Sequence, residues 1–403
     1  MRAKILIALP IIFAVEMLAR EPVSPPPKIA TEKQIRARDL GIPFDGTPGK
    51  FNAITDVAGV EVGYTTIISG EGKLEVGKGP VRTGVTAVLP RGRGAMNDPV
   101  FAGYFSLNGN GEMTGTAWLE ESGFLEGPIV LTNTHSVGIA RDAVIAWRLA
   151  HGGPDAQGFA WSLPVVAETW DGWLNDVDGF HVKPEHVAHA IDAAHGGAIE
   201  EGSVGGGTGM ICYEFKGGMG TSSRVIPVAA VSDRPSENSP KPYTVGVIVQ
   251  ANCGRRPQLI IAGVPVGKEL PGSVYKRDTG SIIIIVATDA PLMPHQLKRL
   301  ARRASLGLAR TGSISGNGSG DLFVAFSTAN PHAADSDPPK RSIETMPNDL
   351  MDPLFAATVE ATEEAIVNAL IDNHDMVGRD SHRVEALPHE RLRQLLKQRN
   401  VLR

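Results

Sequence analysis

The amino-acid sequence predicts an α/β fold in which sheets and helices pack in layers. Runs of β-branched residues alternate with glycine-containing turns, as in residues 59–64 and 84–90, and such runs are typical of strands. Between them lie segments whose apolar residues recur at helical spacing. The chain has 403 residues, 46 of them glycine, and no internal repeat is evident, so a helical bundle and a solenoid are both disfavoured.

The first 33 residues differ in character from the rest of the chain. A basic start, Met1-Arg2-Ala3-Lys4, precedes an apolar run over residues 5–15, which is typical of a secretory signal peptide. We therefore expect residues 1–20 to direct export, making the protein periplasmic or secreted; if the leader is not functional, the protein would be cytoplasmic. Residues 21–33 are rich in proline and charge and predict an extended linker.

Three helices are predicted by their spacing, near residues 136–150, 294–310 and 353–373. Basic residues cover one face of the second helix, and its other face is apolar, with Leu297, Leu300, Ala301, Ala304 and Leu308. Two segments rich in proline, serine and aspartate or asparagine, residues 233–242 and 330–349, predict irregular surface loops.

Composition argues against several classes of partner. A formal net charge of -5 gives no electrostatic reason to expect nucleic acid or an anionic membrane, so a small cationic or zwitterionic ligand fits better. The apolar run of the leader is too short to cross a bilayer comfortably, and no other apolar segment is long enough to do so. The only cysteines, Cys212 and Cys253, do not form a C-x-x-C pattern, and we expect both to be core or wall residues.

The most informative segment is Gly280-Ser281, which stands directly before four isoleucines and a valine. That apolar run predicts a strand buried on both faces. One interpretation of Gly280-Ser281 is an ordinary turn that enters the strand. The other is catalytic, because a serine made N-terminal by scission can use its own α-amine as the activating base. The pKa of an α-amine is about 7.7–8.0, so a useful fraction is neutral at physiological pH.

A second glycine-rich segment, residues 312–326, leads into another apolar run. If the strand begins at its glycines, Ser319 and Asp321 lie on the same side of it. The alternative is a flexible hairpin loop. Neither this segment nor the glycine-rich residues 204–210 carry the Lys-Ser or Lys-Thr pair of a phosphate-binding loop.

A histidine cluster offers a rival metal-binding interpretation. It contains His181, His186, His189 and His195, of which His186 and His189 would share a helical face. No carboxylate or histidine motif of the zincin type accompanies them. We therefore predict structural roles for these histidines and no bound metal.

Both glycine-rich segments, with a series of shorter motifs, resemble the DmpA and β-peptidyl aminopeptidase family of self-processing serine aminopeptidases. The shorter motifs occupy, in chain order, residues 108–115, 120–123, 127–134, 166–169, 204–210, 215–218 and 263–267. The resemblance runs from about residue 35 to about residue 373. It implies a four-layer αββα sandwich, similar to the N-terminal nucleophile hydrolases but connected differently.

The resemblance implies that Ser281 is the nucleophile, exposed as a new N-terminus by self-cleavage after Gly280. Ser319 and Asp321 would support it through hydrogen bonds. Some relatives carry glutamate where this chain has Asp321, so the network would be one methylene shorter here. Asn252 would donate its amide N–H to the charge that develops on the scissile carbonyl.

The implied substrate-binding residues are Glu168 and Trp170. The Glu168 carboxylate would hold the free amine of the substrate, which gives an aminopeptidase its demand for a free N-terminus. Trp170, like Cys253, stands where tyrosine is frequent in relatives, so the acyl pocket and the local packing would differ here. Peptides, amino-acid amides and amino-acid esters are the implied substrates, and the choice among L-, D- and β-amino acids stays open.

The resemblance further implies that residues 34–280 and 281–403 are the large and small fragments of one catalytic domain. The fragments would form a heterodimer, and four heterodimers a tetramer. No cofactor is implied. Two other functions stay open: an acyltransferase of the ornithine acetyltransferase type, although those enzymes use threonine as nucleophile, and a non-enzymatic binding protein that remains one uncleaved chain.

Overall fold

A computed structural model of the chain describes residues 34–152, 161–227, 230, 242–274 and 280–402. The predicted leader over residues 1–20 and the linker over residues 21–33 lie outside the described residues, as does nearly all of the predicted loop 233–242. The described residues belong to one compact unit. None of the helices described is long and apolar enough to cross a bilayer.

The described strands and helices alternate along the chain, as the sequence predicted. The strands are β1 (Glu61–Ser69), β2 (Val81–Leu89), β3 (Val100–Gly109), β4 (Phe124–Leu125), β5 (Ile129–Asn133), β6 (Val165–Thr169), β7 (Ile211–Cys212), β8 (Phe215–Lys216), β9 (Gly218–Ile226), β10 (Tyr243–Asn252), β11 (Ser281–Thr288), β12 (Gly320–Ser327), β13 (Met376–Val377) and β14 (Arg383–Val384). The helices are α1 (Thr116–Ser122), α2 (Val137–Gly152), α3 (Pro184–Asp192), α4 (Val266–Glu269), α5 (Pro294–Arg310), α6 (Asp352–Ile371) and α7 (His389–Gln398).

Two sheets dominate the fold. The smaller has the strand order β1-β2-β5-β6, with β5 and β6 parallel and the other pairs antiparallel. The larger has the order β4-β3-β12-β11-β10-β9, and its one parallel pair is β11 with β12 at the centre. A parallel pair needs a crossover connection, and α5 lies between β11 and β12 in the chain.

Three apolar cores separate the layers. Ile283 and Ile285 point into the core between the two sheets, whereas Ile282 and Ile284 face the helices α5 and α6. This alternation is what the isoleucine run requires, since successive side chains of a strand point to opposite faces. On the far side of the smaller sheet, α2 and α3 cover a third core. The order of layers is helix, sheet, sheet, helix, which confirms the αββα sandwich.

The helices form close to where the spacing predicted them. The predicted helix at 294–310 is α5 to the residue, because Pro294 opens its first turn and the apolar face that the sequence identified is buried. The prediction near 136–150 corresponds to α2, and the one near 353–373 to α6. The predicted loop 330–349 contains no strand or α-helix; only a short 3-10 turn begins at its end.

Candidate active site

Ser281 is the first residue of the central strand β11, as the sequence predicted. It lies opposite Asn252 on one neighbouring strand and Gly320 on the other. Its side chain is buried, and its Oγ accepts a hydrogen bond from the backbone N–H of Gly320 at 3.0 Å. The hydroxyl is therefore held from the β12 side of the strand, by the backbone of Gly320.

Ser319 and Asp321 flank the glycine that donates to Ser281. The Ser319 hydroxyl donates to Asp321 Oδ1 at 2.6 Å, and both side chains are buried. The contact confirms that the two side chains lie on one side, although β12 begins at Gly320, between them. The preceding loop is fixed from β3, because Asn108 Nδ2 donates to the Gly316 carbonyl at 2.7 Å.

Asn252 ends β10, and both ends of its side-chain amide are held. Its Oδ1 accepts from the Ile211 N–H at 2.7 Å, and its Nδ2 donates to the Trp170 carbonyl at 2.9 Å. A primary amide has two N–H groups, and this second bond uses one of them. The other N–H is the group that, by the resemblance, would donate to a negatively charged oxygen; Asn252 itself is buried and is not one of the residues that line the cavity described below.

Glu168 belongs to β6 in the smaller sheet and is 4% exposed. Its Oε1 accepts from the Glu112 backbone N–H at 3.0 Å, and its Oε2 accepts a short hydrogen bond from the Thr134 hydroxyl. Burial raises the pKa of Glu168, and the two hydrogen bonds partly offset that rise. A bound ammonium would favour the ionised carboxylate.

Residues from both sheets line one cavity of about 490 Å³. Its walls are Asn110, Gly111, Glu112, Thr134, Glu168, Trp170, Ser281 and Gly318. The predicted nucleophile and the predicted amine anchor therefore face the same space. Trp170 lines the cavity as expected, and Gly172 leaves room for it, because a Cβ there would lie 2.6 Å from the indole ring.

Gly280 is packed against the end of β10. A Cβ added to it would lie 2.5 Å from the Asn252 carbonyl oxygen and 2.7 Å from Cys253 Cα, closer than real Cβ contacts allow. Glycine is therefore required here for close approach of two backbones. The bond between Gly280 and Ser281 is held beside Asn252 as a result.

Several contributors to this site have no sequence signal of their own. Thr134 contributes a single hydroxyl, and Glu112, Ile211 and Gly320 contribute backbone N–H groups, which any residue except proline possesses. Thr134 and Glu112 do lie within the motifs at 127–134 and 108–115. Those motifs were the only available indication that they belong to the site.

The histidine cluster makes other contacts. His181 Nε2 lies 2.8 Å from Asp176, His186 Nδ1 accepts from the Lys183 N–H at 3.0 Å, and His189 Nδ1 lies 3.0 Å from the Thr65 hydroxyl. Across the described residues, no group of three or more His, Cys, Asp or Glu side chains is arranged to hold a metal ion.

Comparison with known proteins identifies similar chains over nearly the whole fold. The profile of peptidase family S58 matches residues 52–384. The β-peptidyl aminopeptidase BapA of Sphingosinicella microcystinivorans is 54% identical over 379 residues, which is 90% of this chain and 92% of that protein. BapA of Sphingosinicella xenopeptidilytica is 48% identical over 379 residues, 90% of this chain and 91% of that protein.

A solved structure gives the same result for the fold. The L-aminopeptidase D-Ala-esterase/amidase of Ochrobactrum anthropi, described as a prototype of the serine aminopeptidases and a variant of the Ntn hydrolase fold, superimposes with a TM-score of 0.82 at 48% identity. The match covers 91% of this chain and 99% of that one. All three relatives are named as aminopeptidases, and an acyltransferase is correspondingly disfavoured.

Proposed function

Because this chain belongs to peptidase family S58 and is a serine aminopeptidase, we propose that Ser281 is its nucleophile and Glu168 its anchor for the substrate amine. One observation carries the proposal: Ser281 and the buried Glu168 carboxylate line the same cavity. A substrate whose ammonium pairs with Glu168 would present the carbonyl after its first residue to Ser281. Only a free N-terminus can make that pair.

The proposed reaction is acyl transfer through an ester. Ser281 Oγ attacks the carbonyl carbon, and the remaining N–H of Asn252 donates to the oxyanion. The amine of the shortened peptide leaves, and water then hydrolyses the ester and frees the N-terminal amino acid. The Gly320 N–H and the adjoining Ser319–Asp321 hydrogen bond would keep Ser281 oriented throughout.

We also propose that the chain activates itself by the same chemistry. Ser281 Oγ attacks the Gly280 carbonyl carbon, the peptide bond to the Ser281 nitrogen breaks, and Gly280 is left as an ester on the oxygen. Water hydrolyses this ester, which leaves a Gly280 carboxylate and a free α-amine on Ser281. That amine is the base that takes the hydroxyl proton in later turnovers.

The architecture supports a stable complex of the two proposed fragments. β11 and β12 of the small fragment lie between β10 and β3 of the large fragment in the larger sheet. Separation would break both ladders and expose the cores on either face. We therefore expect the fragments to stay associated as a heterodimer, and we propose that heterodimers assemble further into a tetramer.

A denaturing gel with N-terminal sequencing tests the processing step. We expect two bands, and the smaller should begin with Ser281 and extend to Arg403. A single band of the full chain, in protein that cleaves amino-acid amides, would contradict self-processing while leaving the aminopeptidase assignment intact.

Replacing Gly280 with alanine should slow processing by roughly tenfold, because the new methyl group must push the scissile bond away from Asn252. Fragment yield against time after synthesis is the measurement. Gly138→Ala is the matched control, since a Cβ at Gly138 meets nothing within 4 Å. Once cleaved, the Gly280→Ala enzyme should match the parent in kcat/KM, because residue 280 is then a chain end outside the reaction.

For the substrate, we propose peptides and amides with an N-terminal β-amino acid. The support is the name of the two BapA relatives, at 54% and 48% identity. Parallel assays with p-nitroanilides of a β-homoalanine, L-alanine and D-alanine measure the preference. A higher kcat/KM for L-alanine than for the β-amino acid would reject this choice and leave the active-site assignment unaffected.

We also propose that the protein is exported to the periplasm or beyond, on the basic and apolar pattern of residues 1–20. Expressed in a Gram-negative cell, it should appear in the periplasmic fraction without Met1. Full-length protein found only in the cytoplasm would argue against export.

A further inference from the structure

The chain's two cysteines lie side by side, and one of them directly follows the proposed oxyanion residue Asn252 in the sequence. Cys212 Sγ and Cys253 Sγ are 3.5 Å apart, although 41 positions separate them in the sequence. Both side chains are fully buried, as the sequence predicted for core residues. Cys212 ends β7, and Cys253 follows Asn252 at the end of β10.

Bonds on either side of the cysteines hold these two segments in register. Before them, the Ile211 N–H donates to Asn252 Oδ1 at 2.7 Å. After them, the Tyr213 N–H donates to the Cys253 carbonyl at 2.6 Å. Glu214, the residue after Tyr213, forms a 2.5 Å ion pair with Arg255. The residues before and after the two cysteines are therefore bonded to each other, and these bonds hold the two thiols side by side.

The turn that presents Cys212 is itself tightly constrained. Tyr213 and Glu214, which connect β7 to β8, both have positive φ, at +49° and +60°. Such values are rare for a bulky residue and persist only where the surroundings impose them. Here the Tyr213 hydroxyl is bonded to Thr311 at 2.7 Å, in addition to the contacts above. In the folded protein these contacts keep Cys212 beside Cys253, and an oxidant reaches the thiols only when the turn opens.

We propose that Cys212 and Cys253 are a site of disulfide formation that links β7 to the segment after Asn252. The oxidant would be a disulfide, either a small one or that of a thiol–disulfide oxidant protein. One cysteine thiolate attacks it and forms a mixed disulfide, and the second thiolate displaces the remaining thiol. The oxidant gains the two electrons and two protons that the cysteines lose. Because both thiols are buried, exchange takes place during folding or on opening of the turn.

The bond would alter Asn252, and this part of the inference rests on the oxyanion function proposed above. A disulfide has a sulfur–sulfur distance of about 2.05 Å, so the sulfur atoms must approach by about 1.5 Å. Ile211 and Asn252, whose contact fixes the side-chain amide, immediately precede the two cysteines. Catalytic groups must be held to within about 0.5 Å, so oxidation should lower kcat by about tenfold.

The test compares protein made in the bacterial cytoplasm with protein made in the oxidising periplasm, and treats the former with oxidised glutathione for several hours. Each sample is denatured and alkylated with N-ethylmaleimide, and the mass of the large fragment is then measured by mass spectrometry. We expect two alkyl groups on the cytoplasmic sample. We expect no alkyl groups on the periplasmic sample, whose mass before alkylation should be lower by two hydrogen atoms. Under oxidised glutathione, the cytoplasmic sample should convert gradually from the reduced to the disulfide form.

Kinetics on the same samples test the effect on Asn252. Oxidised parent should recover its kcat on reduction with dithiothreitol, and Cys212→Ala should show the same kcat under both conditions. Two alkylatable thiols in every sample, or glutathione retained on one cysteine, would overturn the disulfide. A disulfide without a change in kcat would overturn the link to Asn252. Reduced protein without aminopeptidase activity would reject the proposed function, and the mass result would still decide the disulfide.

Discussion

Replacing Ser281 with alanine is expected to abolish both self-processing and peptide hydrolysis. The variant retains Gly280, Asn252 and the cavity but has no oxygen to form the ester. It should therefore run as one uncleaved chain, and kcat/KM for an amino-acid p-nitroanilide should fall by about 10⁴-fold or more. The measurements are a denaturing gel and steady-state kinetics on the same preparation.

A matched serine separates loss of chemistry from loss of folding. Ser222 is also buried in the larger sheet, and its Oγ donates to the Ala361 carbonyl at 2.9 Å. Ser222→Ala therefore loses one hydrogen bond to the backbone, as Ser281→Ala does, and in addition a long one of 3.4 Å that Arg224 Nη1 donates to Ser222 Oγ. The control should be processed and active, and the two variants should have similar melting temperatures. Clean cleavage after Gly280 in the Ser281→Ala chain would refute Ser281 as the attacking group.

The features that sequence reasoning predicted are those encoded locally. The α5 helix was predicted at both ends, because Pro294 favours a first helical turn and the apolar residues recur on one face. Likewise, a run of four isoleucines is compatible with little except a strand buried on both sides, and β11 is that strand. In both cases, the signal lies within a few residues of the element itself.

The order of strands and the contacts of Glu168 could not be predicted in this way. β11 pairs with β10 and β12, and β12 pairs with β3, whose residues lie more than 200 positions earlier. Such pairings depend on the packing of the whole chain. Glu168 itself was found only through the resemblance, and its partners are a hydroxyl and a backbone N–H on two other loops. These groups have no distinctive sequence pattern.

The pH dependence of the enzyme should show the burial of Glu168. Burial raises its pKa, and only the ionised carboxylate pairs with a substrate ammonium, so kcat/KM should fall as the pH drops through that raised pKa. The Thr134 hydroxyl donates to the carboxylate and lowers this pKa. Thr134→Val should consequently shift the acidic limb of the profile to higher pH. A limb that moves to lower pH would contradict the assignment.

Glu168→Gln should remove most of the preference for a free N-terminus. A charge-assisted hydrogen bond is worth about 1.5–3 kcal/mol, so its loss should lower kcat/KM for free-amine substrates by roughly 10- to 150-fold. The fall should be selective. N-acetylated substrates are expected to be poor for the parent and little changed by the substitution, so the difference between the two substrate classes should narrow. The acidic limb attributed to Glu168 should also disappear.

Self-processing provides an internal control for this variant, because the Gly280–Ser281 bond lies within the chain and presents no ammonium to Glu168. The Glu168→Gln chain should therefore cleave itself nearly as the parent does. A purely structural role predicts a different pattern: Glu168 accepts from Glu112 and Thr134, and loss of those contacts would lower the melting temperature, processing and turnover of every substrate together. Kinetics on a matched pair of free and acetylated p-nitroanilides, with a melting curve for each protein, separates the two. An equal loss on both substrates would reject Glu168 as the amine anchor.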